Sequence, residues 1–193
     1  PKKKSLRNSL LFISQYREHQ KQDDFFLVEK KLLKFLVVFC KQNNLSLNIL
    51  GCSKNFQKEK KYYESFLNFY KFNFQKKLEY PLNYKLIDKF DTIVFVDSTL
   101  GYESISREKK VAIFSSRKNS LKGGLEKFGW PNRFKNHGFF YSSNRFKKTE
   151  AEKIMKNEIN ISQDSWKKLI LPKLKTISIY NYNNKPLFNE FHN

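Results

Sequence analysis

No run of apolar residues in this chain approaches the roughly 20 that a membrane-spanning helix needs; the longest nearly apolar run is Phe35 to Cys40. A transmembrane segment is therefore not expected. Cysteine is equally sparse, with Cys40 in a helical pattern and Cys52 after a strand pattern. Two such residues make neither a disulfide framework nor a metal-ligand spacing, and both are expected as buried free thiols. The three histidines, His19, His137 and His192, are scattered, and no Cys, His or Asp stands near them at a zinc-binding spacing. No protein-bound metal and no cofactor are expected. Also missing are a Gly-rich loop ending in Lys-Ser/Thr, a Gly-x-Gly-x-x-Gly after a strand, and a Gly-x-Ser-x-Gly elbow. Their absence argues against an ATPase, a dinucleotide dehydrogenase and a serine hydrolase of the α/β type.

Acidic residues are scarce too: 38 Lys+Arg stand against 18 Asp+Glu, a formal net charge of +20. Such an excess attracts phosphate-rich partners or an anionic membrane surface. It also accompanies abundant Asn, Phe, Ile and Tyr, the amino acids favoured by coding sequence rich in A and T, so base composition offers a second explanation. The aromatic residues fall at strand or helix spacing and no RNA-binding motif is present, so nucleic acid is not expected as a partner.

What is present is enough for a core. Apolar residues make up 39% of 193 residues, which suits one domain built as helices on both faces of a sheet. Ser9 to Ser14, Leu45 to Leu50, Thr92 to Val96 and Lys110 to Phe114 are short continuous apolar runs of the kind buried in a parallel sheet. A weaker strand is expected at Phe72 to Gln75, and a late one at Phe139 to Tyr141. Between them, helical spacing covers Phe25 to Asn44 (Phe26, Leu27, Lys30, Leu33, Lys34, Val37, Val38), Lys58 to Lys71 (Tyr62, Phe66, Phe69, Tyr70), Tyr80 to Phe90 and Thr99 to Arg107. Thr149 to Asn157 and Ser162 to Leu171 follow as helices, the latter capped by Ser162 or Asp164 and stopped by Pro172. The fold class expected is α/β, a Rossmann-like three-layer domain with a mainly parallel sheet of five or six strands. The domain is expected over residues 1–160, with a C-terminal helical extension and tail over 161–193. Ser115 to Gly138 reads as a long loop, of a length usually functional in a compact domain.

Chemistry is expected where the strand Thr92 to Val96 ends. In an open parallel sheet, ligands bind beyond the carboxyl ends of the strands, where helix N-termini present unpaired N–H groups. Ser98 and Thr99 offer hydroxyls to phosphate there, and Gly101 permits close approach. Glu103 lies one helical turn after Thr99, where a carboxylate suits the two hydroxyls of a ribose. A capping arrangement, with Thr99 as N-cap, accounts for the same residues.

Asp97-Ser-Thr-Leu-Gly-Tyr-Glu103, continuing through Arg107-Glu-Lys-Lys-Val-Ala-Ile-Phe-Ser115, Phe128-Gly-Trp-Pro131 and Gly138-Phe-Phe-Tyr141, resembles bacterial surface-carbohydrate biosynthesis proteins with a GT-B type glycosyltransferase fold. The likeness covers roughly residues 80 to 145. The segment is more distantly similar to the second domain of UDP-N-acetylglucosamine 2-epimerase, whose Asp-Ser-Gly-Gly-x-x-Glu loop holds the nucleotide. Asp97, Ser98 and Glu103 match it, and Thr99-Leu100 stands where the paired glycines would be. The resemblance implies that this is the C-terminal half of a GT-B fold, binding the nucleotide of a sugar-nucleotide donor. The reaction would be transfer to a carbohydrate or glycolipid acceptor in surface polysaccharide or lipopolysaccharide synthesis.

The same resemblance implies a nucleotide contact at Arg17 and Glu18, in the loop after the first strand, although a surface ion pair explains them equally. Ser115 and Arg117 follow the next strand as a second phosphate contact or a solvated basic turn. Trp130 stacks on a base or sugar, or anchors its loop. The catalytic base would lie in the other domain, and Pro1-Lys-Lys-Lys reads as a fragment boundary. A cytoplasmic location, peripheral at the inner membrane, is implied. The competing expectation is a non-catalytic polyanion-binding or scaffold module using the basic surface.

Overall fold

A computed structural model describes residues 8–16, 24–79, 81–96, 98–114 and 146–177. The elements run β1 (Ser9–Ile13), α1 (Asp24–Gln42), β2 (Ser46–Leu50), α2 (Phe56–Leu67), β3 (Asn73–Gln75), α3 (Leu82–Ile87), β4 (Thr92–Phe95), α4 (Thr99–Ser106), β5 (Lys110–Ile113), α5 (Lys148–Asn160) and α6 (Gln163–Ile177). The five strands form one sheet in the order β3-β2-β1-β4-β5, and every pairing is parallel. This is the Rossmann-like α/β architecture that the strand and helix alternation predicts.

Side-chain alternation along the strands explains the three layers. Leu10, Phe12, Leu47, Ile49, Val94, Val96, Ala112 and Phe114 point to one face, where they pack with Val28, Leu32, Leu36 and Phe39 of α1, Tyr63 and Leu67 of α2, and Ala151, Ile154 and Met155 of α5. Leu11, Ile13, Leu50, Ile93, Phe95, Val111 and Ile113 point to the other, against Ile87 at the end of α3, Ile105 of α4, and Trp166 and Ile170 of α6. Both faces are covered, so the central strands carry apolar residues without interruption.

Several helical expectations shift in register or length. In α1 the buried residues include Val28, Leu32, Leu33, Leu36, Val37, Phe39 and Cys40, so Leu33 and Val37 fall where expected, while Lys30, Lys34 and Val38 face solvent. The helix ends where Asn44 turns left-handed at φ 53° and Leu45 N–H returns to Cys40 O at 2.8 Å. Helix α2 starts earlier than expected, at Phe56 with Asn55 as its cap, and stops at Leu67. Its fully buried residues are Glu59, Tyr63 and Leu67; of the expected Tyr62, Phe66, Phe69, Tyr70 stripe, Tyr62 and Phe66 are half-buried against the core, whereas Phe69 is 95% exposed. Helix α6 is capped by Ser162, whose Oγ accepts from Ser165 N–H at 3.1 Å, and it runs through Pro172 instead of stopping there. The proline removes one N–H partner from the carbonyl of Lys168, which lies on an exposed turn where water can replace it.

Asn160, the expected end of the nucleotide-binding region, is the last residue of α5, and α6 after it also packs on the sheet through buried Trp166 and Ile170. One feature of α5 breaks the apolar pattern. Glu158 is fully buried and neither carboxyl oxygen has a hydrogen-bond partner among the described residues. Burial pushes its carboxyl well above the usual carboxylate range, opposed only by the charge of nearby Lys110.

Candidate functional site

Strand order and helix placement fix where a ligand can enter. After β1 the chain passes to α1 on one face, whereas after β4, the neighbour of β1, it passes to α4 on the other. The two connections diverge, and at such a switch point open α/β sheets take ligands beyond the carboxyl ends of the strands. Ser14, Gln15 and Tyr16 leave β1 at this edge, and Ser98 and Thr99 leave β4 there.

The start of α4 is built for close approach to an anion. Ser98, not Thr99, is its N-cap: the backbone is extended at φ −132°, ψ 128°, and Oγ accepts from Gly101 N–H at 3.3 Å. Tyr102 N–H bonds to Ser98 O at 3.0 Å. The N–H groups of Thr99 and Leu100 have no hydrogen-bond partner among the described residues. Together with the helix dipole they give the site positive potential. Because Oγ of Ser98 accepts in the cap, its proton remains to be donated outward.

Gly101 is required by packing. A Cβ at this position would sit 2.5 Å from ring atoms of Phe95, which is wholly buried. The absence of a side chain lets the first turn of α4 settle on the β4 edge. Gly101→Ala should therefore lower stability by on the order of 1 to 2 kcal/mol, because overpacking outweighs the gain of about 1 kcal/mol in helix propensity. Thermal or denaturant unfolding of the variant checks this; a rise in midpoint would show that Phe95 can move aside.

Glu103 follows one turn later and is half-buried between α4 and α3. Its Oε2 accepts from Tyr84 Oη–H at 2.8 Å, and its other oxygen has no hydrogen-bond partner among the described residues. A turn further on, Arg107 clasps Asp88 through two bonds, Nε to Oδ1 at 2.9 Å and Nη2 to Oδ2 at 2.6 Å, and its guanidinium lies over the Tyr84 ring. Tyr84 thus holds Glu103 in one orientation and braces the α3–α4 groove. Of the other site residues expected from the sequence, Arg17, Glu18, Ser115, Arg117 and Trp130 lie outside the described residues. The late strand Phe139 to Tyr141 does as well.

A second group at the same sheet edge carries no sequence motif. Ser14, at the exit of β1, places Oγ 2.5 Å from Glu59 Oε1 and 2.5 Å from Tyr63 Oη. Tyr63 Oη is in turn 2.7 Å from Glu29 Oε1. Glu59 also accepts from Cys52 N–H at 3.0 and 3.1 Å and from Ser53 N–H at 2.8 Å. Glu29 accepts from Gln15 N–H at 3.0 Å, Tyr16 N–H bonds to Ser14 Oγ at 3.0 Å, and Cys52 Sγ donates to Tyr16 O at 3.1 Å. All four side chains from Ser14 to Glu59 are buried, and Gly51 makes room for them, since a Cβ there would meet Glu59 Oε2 at 2.8 Å.

Burial raises the Glu29 carboxyl from 4.5 to about 7, helped by the nearby Glu59 charge and opposed by its bonds from Tyr63 and Gln15. Burial likewise pushes both Cys40 and Cys52 to about 12, so neither is a ready nucleophile. The legible signal for this cluster was positional: Glu29 and Glu59 fall on the buried faces of α1 and α2, and Tyr63 stands four residues after Glu59.

Over residues 1–193 the chain matches the profile of a family described as "putative O-antigen biosynthesis protein". No curated protein sequence matches it. Among solved structures it is similar to a beta Kdo 2,4 transferase, KpsC of Thermosulfurimonas dismutans, at 17% identity and a TM-score of 0.37, covering 56% of this chain and 34% of that one. It is also similar to TarM at 15% identity and a TM-score of 0.42, covering 92% of this chain and 36% of that one. The chain thus spans about a third of the length of each. Among the described residues no helix is long and apolar enough to cross a membrane.

Proposed function

The chain belongs to the O-antigen biosynthesis protein family, and from that premise we propose that it binds the nucleotide part of a sugar-nucleotide donor, as the C-terminal domain of a GT-B-like glycosyltransferase of surface polysaccharide synthesis. The observation that carries this reading is the switch point beyond β1 and β4, where α4 begins with two N–H groups that have no partner among the described residues, above a glycine packed on Phe95. Diphosphate oxygens accept from the amides of Thr99 and Leu100 and from the hydroxyls of Ser98 and Thr99. The same donors stabilise the charge that grows on a departing nucleoside diphosphate. Glu103, fixed by Tyr84, directs its second carboxyl oxygen to the ribose. Arg17 and Arg117 would complete the phosphate grip from neighbouring loops, and Trp130 would stack on a ring. The acceptor, a carbohydrate or glycolipid, and the catalytic base belong to a partner domain.

In calorimetry with the full-length protein, UDP, GDP and CMP should differ in affinity at fixed salt. Glu103→Ala should weaken the preferred nucleotide by about 1 to 3 kcal/mol, the scale of hydrogen bonds to a charged group. Tyr84→Phe, which removes only the brace, should cost less than Glu103→Ala. If wild type and Glu103→Ala bind ribo- and 2′-deoxynucleotides alike, Glu103 has no part in the site. The net charge of +20 favours one other reading, a non-catalytic polyanion binder. That reading requires affinity that ignores the base and falls steeply with salt.

A further inference from the structure

The oxygens of Glu29, Tyr63, Ser14 and Glu59 form an unbroken chain of three contacts, at 2.7, 2.5 and 2.5 Å. Each contact needs a proton between its two oxygens, and the two hydroxyls supply one each. Ser14 Oγ also accepts Tyr16 N–H at 3.0 Å, so its own proton is its only donation. With both carboxyls ionised, one of the short contacts would set two lone pairs against each other. The chain closes only with a third proton on an end carboxyl. Glu59 receives backbone N–H groups from Cys52 and Ser53, whereas Glu29 receives only that of Gln15. Hydrogen bonds to the charged form favour it, so the negative charge settles on Glu59 and the proton on Glu29.

We propose that Glu29, Tyr63, Ser14 and Glu59 are a proton-dependent clasp: protonated Glu29 completes the chain that holds the exit of β1, and its deprotonation opens the Tyr63–Ser14 link and loosens Gln15 and Tyr16. These two residues form one wall of the proposed donor site, so the consequence for nucleotide affinity rests on that reading, whereas the clasp itself does not. The groups facing Glu29 act in both directions: burial and the Glu59 charge raise its carboxyl, and the bonds from Tyr63 and Gln15 lower it, with burial the largest. Tyr63, Glu59 and Tyr62 approach from α2, Cys52 from the turn after β2, and Gln15 from the exit of β1. No cation pairs with Glu29 or Glu59 among the described residues. A carboxyl whose folded value is raised contributes stability that is fully present below its unfolded value and is lost as pH rises through the folded one. The window here runs from about 4.5 to about 7.

The test is a carbon-detected NMR titration of the glutamate carboxyls between pH 4 and 9, with the amide signals of Gln15 and Tyr16 followed in parallel. The clasp requires Glu29 to titrate near 7 and both amides to move with it. Glu29→Gln supplies the missing donor permanently, its amide N–H to Tyr63 and its oxygen to Gln15 N–H, and should leave the two amide shifts nearly constant over that range. Titration of Glu29 below about pH 5, or Gln15 and Tyr16 shifts that change with pH equally in wild type and Glu29→Gln, overturns the proposal. If the variant does not fold, the wild-type titration decides alone. Lack of nucleotide binding would sink the donor-site reading and leave this titration as it stands.

Discussion

Glu158→Met should stabilise the protein, and by more at pH 7 than at pH 4. In the native structure the carboxyl is enclosed by α5 and the sheet with no hydrogen-bond partner among the described residues, and burial keeps it protonated well above the usual 4.5. The unfolded chain releases that proton freely. Stability is therefore lost as pH rises from the usual carboxylate value toward the raised folded one. The sign follows from the direction of the shift: the penalty is absent at low pH and grows as pH rises. Methionine has similar length, fills the same space and removes both the titration and the unsatisfied polar atoms. Lys110 keeps a bond of its own, to Ile161 O at 3.2 Å, so the substitution leaves it with a partner. Urea unfolding of wild type and variant at pH 4 and pH 7 measures the difference. An equal effect at the two pH values would mean that Glu158 is ionised when buried, and a loss of stability would mean that its pairing with Lys110 outweighs its desolvation.

Glu59→Gln should cost about 3 kcal/mol, although it removes one charge and almost no volume. Both oxygens of Glu59 face donors: Ser14 Oγ–H and Cys52 N–H on one, Cys52 and Ser53 N–H on the other. A glutamine must turn its NH₂ toward one set, leaving buried donors opposed and unsatisfied, at about 1 to 3 kcal/mol for each group stranded. It would also release the loop between β2 and α2, which Glu59 ties to its own helix. The equivalent change at Glu29 meets a hydroxyl that can accept, so two chemically identical substitutions, 30 residues apart in one cluster, should have very different consequences. Comparable melting temperatures for Glu29→Gln and Glu59→Gln at pH 7 would contradict the hydrogen-bond directions assigned here.

The architecture is legible along the chain because the signals that encode it are local. Uninterrupted apolar runs such as Thr92 to Phe95, separated by helical segments, can only be strands buried on both faces, and that pattern dictates a parallel sheet with helices above and below. The Ser98 to Gly101 turn was legible for the same reason, since a cap, two free amides and a glycine occupy four successive residues. Local signals also misplaced elements where packing overruled them. The helical spacing of α2 was carried by Tyr62, Phe66, Phe69 and Tyr70, yet tertiary packing buried Glu59 and Tyr63 most deeply, polar residues that propensity would leave outside. Pro172 looked like a stop, but α6 continues past it once Trp166 and Ile170 are anchored.

Only the tertiary structure could assemble Ser14, Glu29, Glu59 and Tyr63, which are spread over 50 residues and meet because β1 lies beside β2 with α1 and α2 on the same face. Only it could bring Tyr84 onto Glu103 across two helices. Hydrogen-bond partnership between side chains is a property of three-dimensional proximity and carries no periodicity along the chain. Burial and protonation follow from that partnership, which is why the carboxyls with the most altered chemistry left almost no trace in the sequence.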